Sequence, residues 1–324
     1  MGQETIRIGT RASQLARWQA DWVARELTEL GALVEIVEIT TSGDAHQHGP
    51  IANISISNDV ERGLEERGLE ERGQSAGRGV FTKEIQAALL RSDVDVAVHS
   101  LKDLPTDTVD GLLLAAVPVR ESAEDALVSS QYHSLDELPS GACVGTGSHR
   151  RQAQLLLLRP DLQIEGIRGN LDTRLAKLDA GTYDAIILAC AGLKRLGLAT
   201  RITEPLGPPR LYPAAGQGAL GIECRKLDSA VQRLLAQLDH EPSRQAVTAE
   251  RTLLASLEAG CLAPVGVWGR VDNGDVCLDA VVVSLDGVQC LRASQGGSDP
   301  VTVGQQVAEQ LLGQGAAEII AALR

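Results

Sequence analysis

The chain has 324 residues, 44% of them hydrophobic and 2% aromatic, and carries 30 lysines and arginines against 43 aspartates and glutamates for a formal net charge of −13. That length can bury a sizeable core divided between two or three domains. The acidic balance and the shortage of aromatic stacking platforms exclude a general nucleic-acid surface, and no apolar stretch reaches the roughly 20 residues of a membrane span.

From the N-terminus, residues 1–8 are polar and enter a strand at once, without the pattern of a signal or transit peptide, so a cytoplasmic protein is expected. The spacing predicts a strand over 5–9 and a helix over 13–30, with Leu15, Trp18, Trp22, Leu27 and Leu30 near helical spacing and Gly31 as its stop. A strand over 33–39 follows. The tract from Glu61 to Gly73 repeats a five-residue unit that fits neither helical nor strand period and weakens any helix with a Gly in each unit. A mobile, solvated insertion over 44–77 is expected there. His46 and His48, in the polar loop Asp44 to His48, lack a third ligand nearby, so no metal site is read from them.

A helix over 82–91 and strands over 94–98 and 112–117 complete the first block. The chain then crosses at Val117 to Glu121 into strands near 142, 163 and 184 and helices near 150, 171 and 192. It returns near Leu211 to Gly218, followed by strand-like Ala219 to Cys224. Gly216 to Gly221 matches Gly-x-Gly-x-x-Gly literally, but it precedes a strand where a dinucleotide fingerprint opens a helix, so that site is rejected. The last block reads as a helix over 243–257, three strands between 265 and 294, and a closing helix over 302–323. The fold class expected is therefore α/β, with two lobes facing a hinged cleft and a small α+β C-terminal domain. Domain 1 takes 1–118 plus 219–239, domain 2 takes 119–218, and domain 3 takes 240–324.

Chemistry in such sheets sits at the carboxyl ends of strands, where loops carry polar groups on a rigid frame. His99-Ser100-Leu101-Lys102-Asp103-Leu104-Pro105 follows an apolar run and makes Asp103 the first candidate catalytic group. Other strand ends carry Thr10-Arg11-Ala12-Ser13, then Gly145-Thr146-Gly147-Ser148-His149-Arg150-Arg151, then Arg168-Gly169-Asn170. Ser13, Ser148 and Asn170 are placed to cap the helices that follow. Capped helix starts with arginine forks suit a small polycarboxylate or phosphate. Of the six cysteines, Cys143, Cys190, Cys224, Cys277 and Cys290 mostly lie in apolar runs and lack any Cys-x-x-Cys pair, as reduced core thiols do. Cys261 lies in a loop of small residues past a helix end. It is open to being a thiolate nucleophile or a covalent attachment point.

These residues carry a resemblance. Thr10 to Ala16, Thr40-Thr41-Ser42-Gly43-Asp44, His99 to Pro105, Ser148 to Gln152, Arg168 to Asn170, Ala191 to Arg195, and Glu258 to Cys261 with Pro264 resemble, in order and spacing, the porphobilinogen deaminase family. The resemblance spans about residues 5–324 and implies three domains, two of them lobes like type II periplasmic binding proteins. It implies stepwise condensation of four porphobilinogen molecules, each losing ammonia, to give the linear tetrapyrrole hydroxymethylbilane. The chain would be primed by a dipyrromethane cofactor held through a thioether, and Cys261 matches the attachment position. Asp103 matches the catalytic aspartate. Arg11, Ser13, Phe81, Ser100, Lys102, Thr146, Ser148, Arg150, Arg151, Arg168, Arg174 and Arg195 match residues at the cofactor and substrate site. Arg78 stands where the family has a lysine, and Gly147 and His149 stand where it more often has Ser and Leu. A monomer with porphobilinogen as its small-molecule partner is expected, binding neither nucleic acid nor membrane.

Two other classes compete. A non-catalytic anion-binding protein of the periplasmic type would share the lobes and arginines but needs a signal peptide, and has no use for Asp103 beside Lys102 or for a third domain holding Cys261. A serine hydrolase using His99, Ser100 and Asp103 would need three members within five residues to stack in hydrogen-bonded order, and no nucleophile elbow is present.

Overall fold

The computed structural model describes residues 5–40, 82–260 and 262–322. Phe81, Cys261, Arg78 and the repeat tract expected within 44–77 lie outside the described residues, as do His46 and His48.

The first lobe starts with β1 (Thr5–Thr10), α1 (Gln14–Glu29) and β2 (Leu33–Glu38). The Ser13 hydroxyl accepts from the Ala16 N–H at 3.4 Å to cap α1, and Gly31 at φ +90° ends the turn that follows it. The lobe continues with α2 (Lys83–Leu90), β3 (Val96–Ser100) and β4 (Leu112–Ala116). β3 begins two residues later than the apolar run suggests. Asp95, just before it, is held by Arg7 and Arg225 and gives its backbone N–H to the Arg7 carbonyl, which makes it an entry post rather than a strand residue.

The second lobe contains β5 (Asp125–Val128), β6 (Cys143–Gly145), α3 (His149–Leu158), β7 (Gln163–Glu165), α4 (Leu171–Asp179), β8 (Ala185–Ala189), α5 (Cys190–Arg195) and β9 (Glu204–Leu206). The chain then returns to the first lobe as β10 (Leu220–Arg225) and α6 (Ser229–Leu235).

Both five-stranded sheets have one plan. The first runs β2-β1-β3-β10-β4 and the second β7-β6-β8-β5-β9. In each, three parallel strands are followed by one antiparallel strand, β10 or β5, that has just arrived from the other lobe. Alternate residues of β8 feed opposite cores, Ile187 beside Leu127 and Leu155, Ile186 beside Val128 and Leu193. β5 and β9 are not evident in the sequence. β5 opens on a buried acid, Asp125, and β9 is a three-residue edge strand containing a proline.

The C-terminal domain packs α7 (Glu241–Ser256), α8 (Pro300–Gly313) and α9 (Ala316–Ala321) on an antiparallel sheet of β11 (Val265–Asp272), β12 (Asp275–Val283) and β13 (Cys290–Gly297). Its core joins Leu253, Val267, Leu278, Val307 and Leu311. The single closing helix expected over 302–323 is two helices, because Gly315 at φ +100° breaks it. In α1 the buried stripe is Gln19, Ala20, Val23 and Leu27, leaving Leu30 exposed. Trp18 is released from the core to lie under Arg195 of the second lobe, 5.9 Å from its guanidinium.

Candidate active site between the lobes and the C-terminal domain

β3 ends in a single tight turn, Leu101–Asp103, and that turn aims the candidate acid. Leu101 is buried and gives its N–H to the Ala219 carbonyl at 3.0 Å, and the Leu104 N–H closes the turn onto the Leu101 carbonyl at 3.2 Å. Gly216, at φ +70°, passes directly behind it. A Cβ there would sit 3.2 Å from both the Leu101 carbonyl carbon and the Lys102 nitrogen, so the return crossing can approach only as glycine. With Leu101 as anchor, Asp103 is exposed and Lys102 is half-buried.

Lys102 faces a cation-rich environment. Burial first, then repulsion from Arg151 and Arg150, brings its ammonium down to about 8 against the attraction of Asp103 and Asp125. Arg174 lies below its usual range through burial and the charge of Arg151, and Asp103 acts in the opposite sense. Arg195 is brought down to about 10 by burial, with Glu121 opposing, and donates to the Gly218 carbonyl at 2.7 Å.

A cavity of about 380 Å³ opens beside this turn, and its wall joins Lys102 to Ser148 and Arg150 of the second lobe, Ala215 of the return crossing, and Arg251 and Gly260 of the C-terminal domain. Ala263, beyond Cys261, is also on the wall, and its N–H bonds the Gly260 carbonyl at 3.0 Å. Glu258, just before that loop, adopts the left-handed backbone at φ +49°.

The paired arginines do something the sequence did not indicate. Asp125, fully buried, accepts from Arg150 at 2.7 Å and from Arg151 at 2.6 Å, and Gln217 of the return crossing donates to it at 2.9 Å. Burial pushes the Asp125 carboxyl up, but the two guanidiniums outweigh it and hold it far below the usual carboxylate range. Arg151 also donates to the Ile187 carbonyl at 2.9 Å and is absent from the cavity wall, whereas Arg150 is on it. Two cations share one carboxylate, so the cluster keeps a net positive charge beside the cavity. The signal that could have revealed Asp125 is the acid opening a short apolar run, Asp125-Ala126-Leu127-Val128, in a chain with an Arg-Arg pair to neutralise.

The remaining candidates divide. Ser13 caps α1, while Ser148 and Asn170 occupy cap positions without a side-chain cap bond, leaving the Ser148 hydroxyl to the cavity. Thr146 is buried and accepts from the Ser148 N–H at 3.2 Å, and the Ser100 hydroxyl accepts from Gln19 at 2.8 Å. Both hydroxyls therefore hold the loops in shape. Arg11 is half-buried and Arg168 exposed, each at the strand end expected. The hydrolase arrangement is absent: His99 is buried with Nε2 at 3.0 Å from a Glu223 carboxylate oxygen, and Ser100 is bonded elsewhere. Gly147 has a local reason, since a Cβ there would come within 3.0 Å of the Ile167 carbonyl oxygen. His149 Nδ1 lies 3.1 Å from the Leu262 carbonyl, linking α3 to the C-terminal domain. The described cysteines are free, and burial pushes the Cys190 and Cys224 thiols up to about 11, away from thiolate chemistry.

A family model described as porphobilinogen deaminase, dipyromethane cofactor binding domain, matches residues 6–233, and one described as porphobilinogen deaminase, C-terminal domain, matches residues 244–313. A porphobilinogen deaminase of Desulforudis audaxviator is 47% identical over 328 residues, covering 100% of this chain and 99% of that protein. Among solved structures, a nutrient binding protein from Burkholderia cenocepacia bound to methionine is 14% identical with a TM-score of 0.41, covering 71% of this chain and 89% of that one. A periplasmic substrate-binding protein of an ABC transporter from Coxiella burnetii is 16% identical with a TM-score of 0.41, covering 76% and 96%.

Proposed function

The chain belongs to the porphobilinogen deaminase family, and from that membership we propose which of its residues carry the reaction. The activity is the stepwise condensation of four porphobilinogen molecules, with release of ammonia, to hydroxymethylbilane, a transferase reaction of tetrapyrrole synthesis. The chain bears the family's dipyrromethane cofactor-binding domain.

The residues present fit such a group. Lys102, Arg174 and Arg195 all lie below their ordinary range because burial outweighs the acids near them. A crowd of desolvated cations is relieved by carboxylates, and every pyrrole unit brings two. When bound, dipyrromethane supplies the pyrrole carbon on which the chain grows. Cys261 is our candidate for its thioether, supported by Gly260 and Ala263 on the cavity wall. Lys102, Ser148 and Arg150 would bind side-chain carboxylates from the wall, with Arg11, Ser13, Arg168, Arg174 and Arg195 around them. Phe81 is retained from the resemblance alone, and we place Arg151, Thr146 and Ser100 in support of the site.

Asp103 has the catalytic role in this reading. An exposed carboxylate on a rigid turn accepts pyrrole N–H groups and offsets the positive charge that develops as the aminomethyl group departs as ammonia. Neighbouring Lys102 neutralises the substrate's carboxylates, so Asp103 is left to meet the cation. The observation that carries the proposal is one cavity wall joining Leu101, Lys102 and Leu104, the neighbours of Asp103 on its turn though not Asp103 itself, to Ser148 and Arg150 at the start of α3 and to Gly260 and Ala263 of the C-terminal domain.

The domain division into 1–118 with 219–239, 119–218 and 240–324 belongs to the proposal, supported by the membership of the three sheets. So does a cytoplasmic monomer; no helix among the described residues is long and apolar enough to cross a membrane. Denaturing mass spectrometry of protein from a porphobilinogen-producing host tests the attachment. A chain heavier by one dipyrromethane, with the added mass lost in Cys261→Ser, is expected. An unmodified chain, or a fully active Cys261→Ser variant, overturns the assignment.

A further inference from the structure

The turn that carries Asp103 is held from two sides. The return crossing backs it through Ala219 and Gly216. From the C-terminal domain, Arg251 of α7 reaches across and donates through Nη1 to the Leu104 carbonyl at 2.9 Å and through Nη2 to the Pro105 carbonyl at 2.6 Å. These are the two residues that follow Asp103. Pro105 has no N–H, and the Leu104 N–H is already used within the turn, so the two carbonyls are where a neighbour can grip this segment.

The helix that supplies the grip is itself fixed. Glu250, the residue before Arg251, is fully buried, pairs with Arg120 at 2.7 Å, and accepts the N–H groups of Gly216 and Gly269, each at 2.7 Å. Beyond Arg251, Leu254 and Ala255 continue the same helical stripe along the cavity, and past the helix end Glu258 lines it too before the chain enters the loop of Gly260. One helix therefore uses its C-terminal half to grip the segment after the acid, and leads at its end to Gly260 on the cavity wall.

We propose that Arg251 is a positioning residue for the reaction: its two-pronged contact with Leu104 and Pro105 fixes Asp103 relative to Gly260 and the cavity wall that the C-terminal domain supplies. It acts on turnover through Asp103 rather than by holding substrate. A planar fork suits two adjacent carbonyls, and a lysine can serve only one of them at full strength. The inference rests on the assignment of Asp103 as the catalytic acid.

The test uses enzyme shown by mass to carry its cofactor, comparing Arg251→Ala, Arg251→Lys, Asp103→Glu and the double variant of Arg251→Ala with Asp103→Glu. Because small misplacements of a reacting group cost up to roughly a hundredfold, Arg251→Ala should lower kcat about tenfold or more with KM within about threefold. Arg251→Lys should recover part of the loss. In the Asp103→Glu background, where the carboxylate is already misplaced, Arg251→Ala should cost less than about threefold further. A rise in KM at unchanged kcat, or losses that multiply fully in the double variant, would show that Arg251 holds substrate directly and overturn the proposal. Should Arg251→Ala not fold, the same cycle with Arg251→Lys decides by the same criterion. Full activity in Asp103→Asn would undo the reading of Asp103 itself; an inactive Asp103→Asn with an unaffected Arg251→Ala would undo only the grip.

Discussion

The two lobes share one strand order but dispose of their acids in opposite ways. In the first lobe, the strand beside the antiparallel newcomer, β3, ends in a turn that leaves Asp103 exposed. In the second, the newcomer itself, β5, opens on Asp125, fully buried between two arginines. On the proposed assignment of Asp103, the same frame serves chemistry on one side and cohesion on the other. A carboxylate that must meet a transient cation cannot be neutralised beforehand, whereas one that ties Arg150 and Arg151 to the return crossing through Gln217 must be.

The sharpest way to break this comparison is to exchange charge for amide at each acid. Asp103→Asn keeps shape but loses the charge that, on the proposed assignment, offsets the cation, so turnover should fall on the order of a hundredfold or more, at nearly unchanged thermal stability and cofactor content. Near-normal turnover would remove Asp103 from the catalytic role. Asp125→Asn should show the converse. It leaves two buried guanidiniums without their counter-charge, which costs about 3–5 kcal/mol of stability in equilibrium denaturation. Its pH signature follows from the depressed carboxyl. A group held below its unfolded range stabilises the fold above that range and loses the contribution as pH falls. The stability gap between wild type and Asp125→Asn should therefore narrow in acid and be full at neutral pH. A gap independent of pH would deny the pairing its electrostatic origin.

The contrast also explains what could be read from the chain alone. Helices and central strands were legible because their apolar periodicity is local: α1, α3, α4 and the three strands of the C-terminal domain fall within a few residues of expectation. β5 and β9 were not, since each is short and defined by pairing with partners far along the chain. Of the site, Lys102, Ser148 and Arg150 were recognisable as polar groups at strand ends, and the cavity brings them together. A pair of adjacent arginines looks the same whether it faces a ligand or a buried acid. Only the fold, by placing Asp125 against Arg150 and Arg151, distinguishes the two. Arg251 was invisible for a similar reason: its partners are backbone carbonyls some 150 positions away, and carbonyls have no sequence signature.

Lys102 sharpens the comparison through pH. Its ammonium, brought down to about 8 mainly by burial, loses its charge as pH rises through that value. If it holds a substrate carboxylate, kcat/KM, which reports the enzyme free of substrate, should decline on the alkaline side with a midpoint at about 8 or above, since carboxylates of the bound cofactor favour the charged ammonium. Lys102→Arg should abolish that limb, since a guanidinium stays charged. Unfolding cannot produce the same decline through this group. The folded protein holds the proton less tightly than the unfolded chain, so its contribution to stability increases as pH climbs from about 8 toward 10.5. An alkaline limb that persists in Lys102→Arg would assign it to another group.

The smallest effect is expected at His149, where the second lobe touches the C-terminal domain beside residue 261. A carbonyl can only accept, so the 3.1 Å contact with Leu262 requires the proton on Nδ1, leaving Nε2 to the outside. An exposed bond of this kind contributes about 1 kcal/mol. The group it restrains is the loop next to the proposed attachment point, not the turn of Asp103. His149→Leu should therefore leave turnover of loaded enzyme within about twofold, while apo-protein given porphobilinogen should gain the cofactor mass up to about fivefold more slowly, the kinetic equivalent of that 1 kcal/mol. His149→Asn, which keeps a donor on a short side chain, should restore part of the loading rate. Equal loading in all three proteins, followed by mass over time, would show that the loop is ordered without this link. The division of labour would then lie in the acids, with the cavity wall as the second lobe's remaining link, among the described residues, to the neighbourhood of the proposed attachment point.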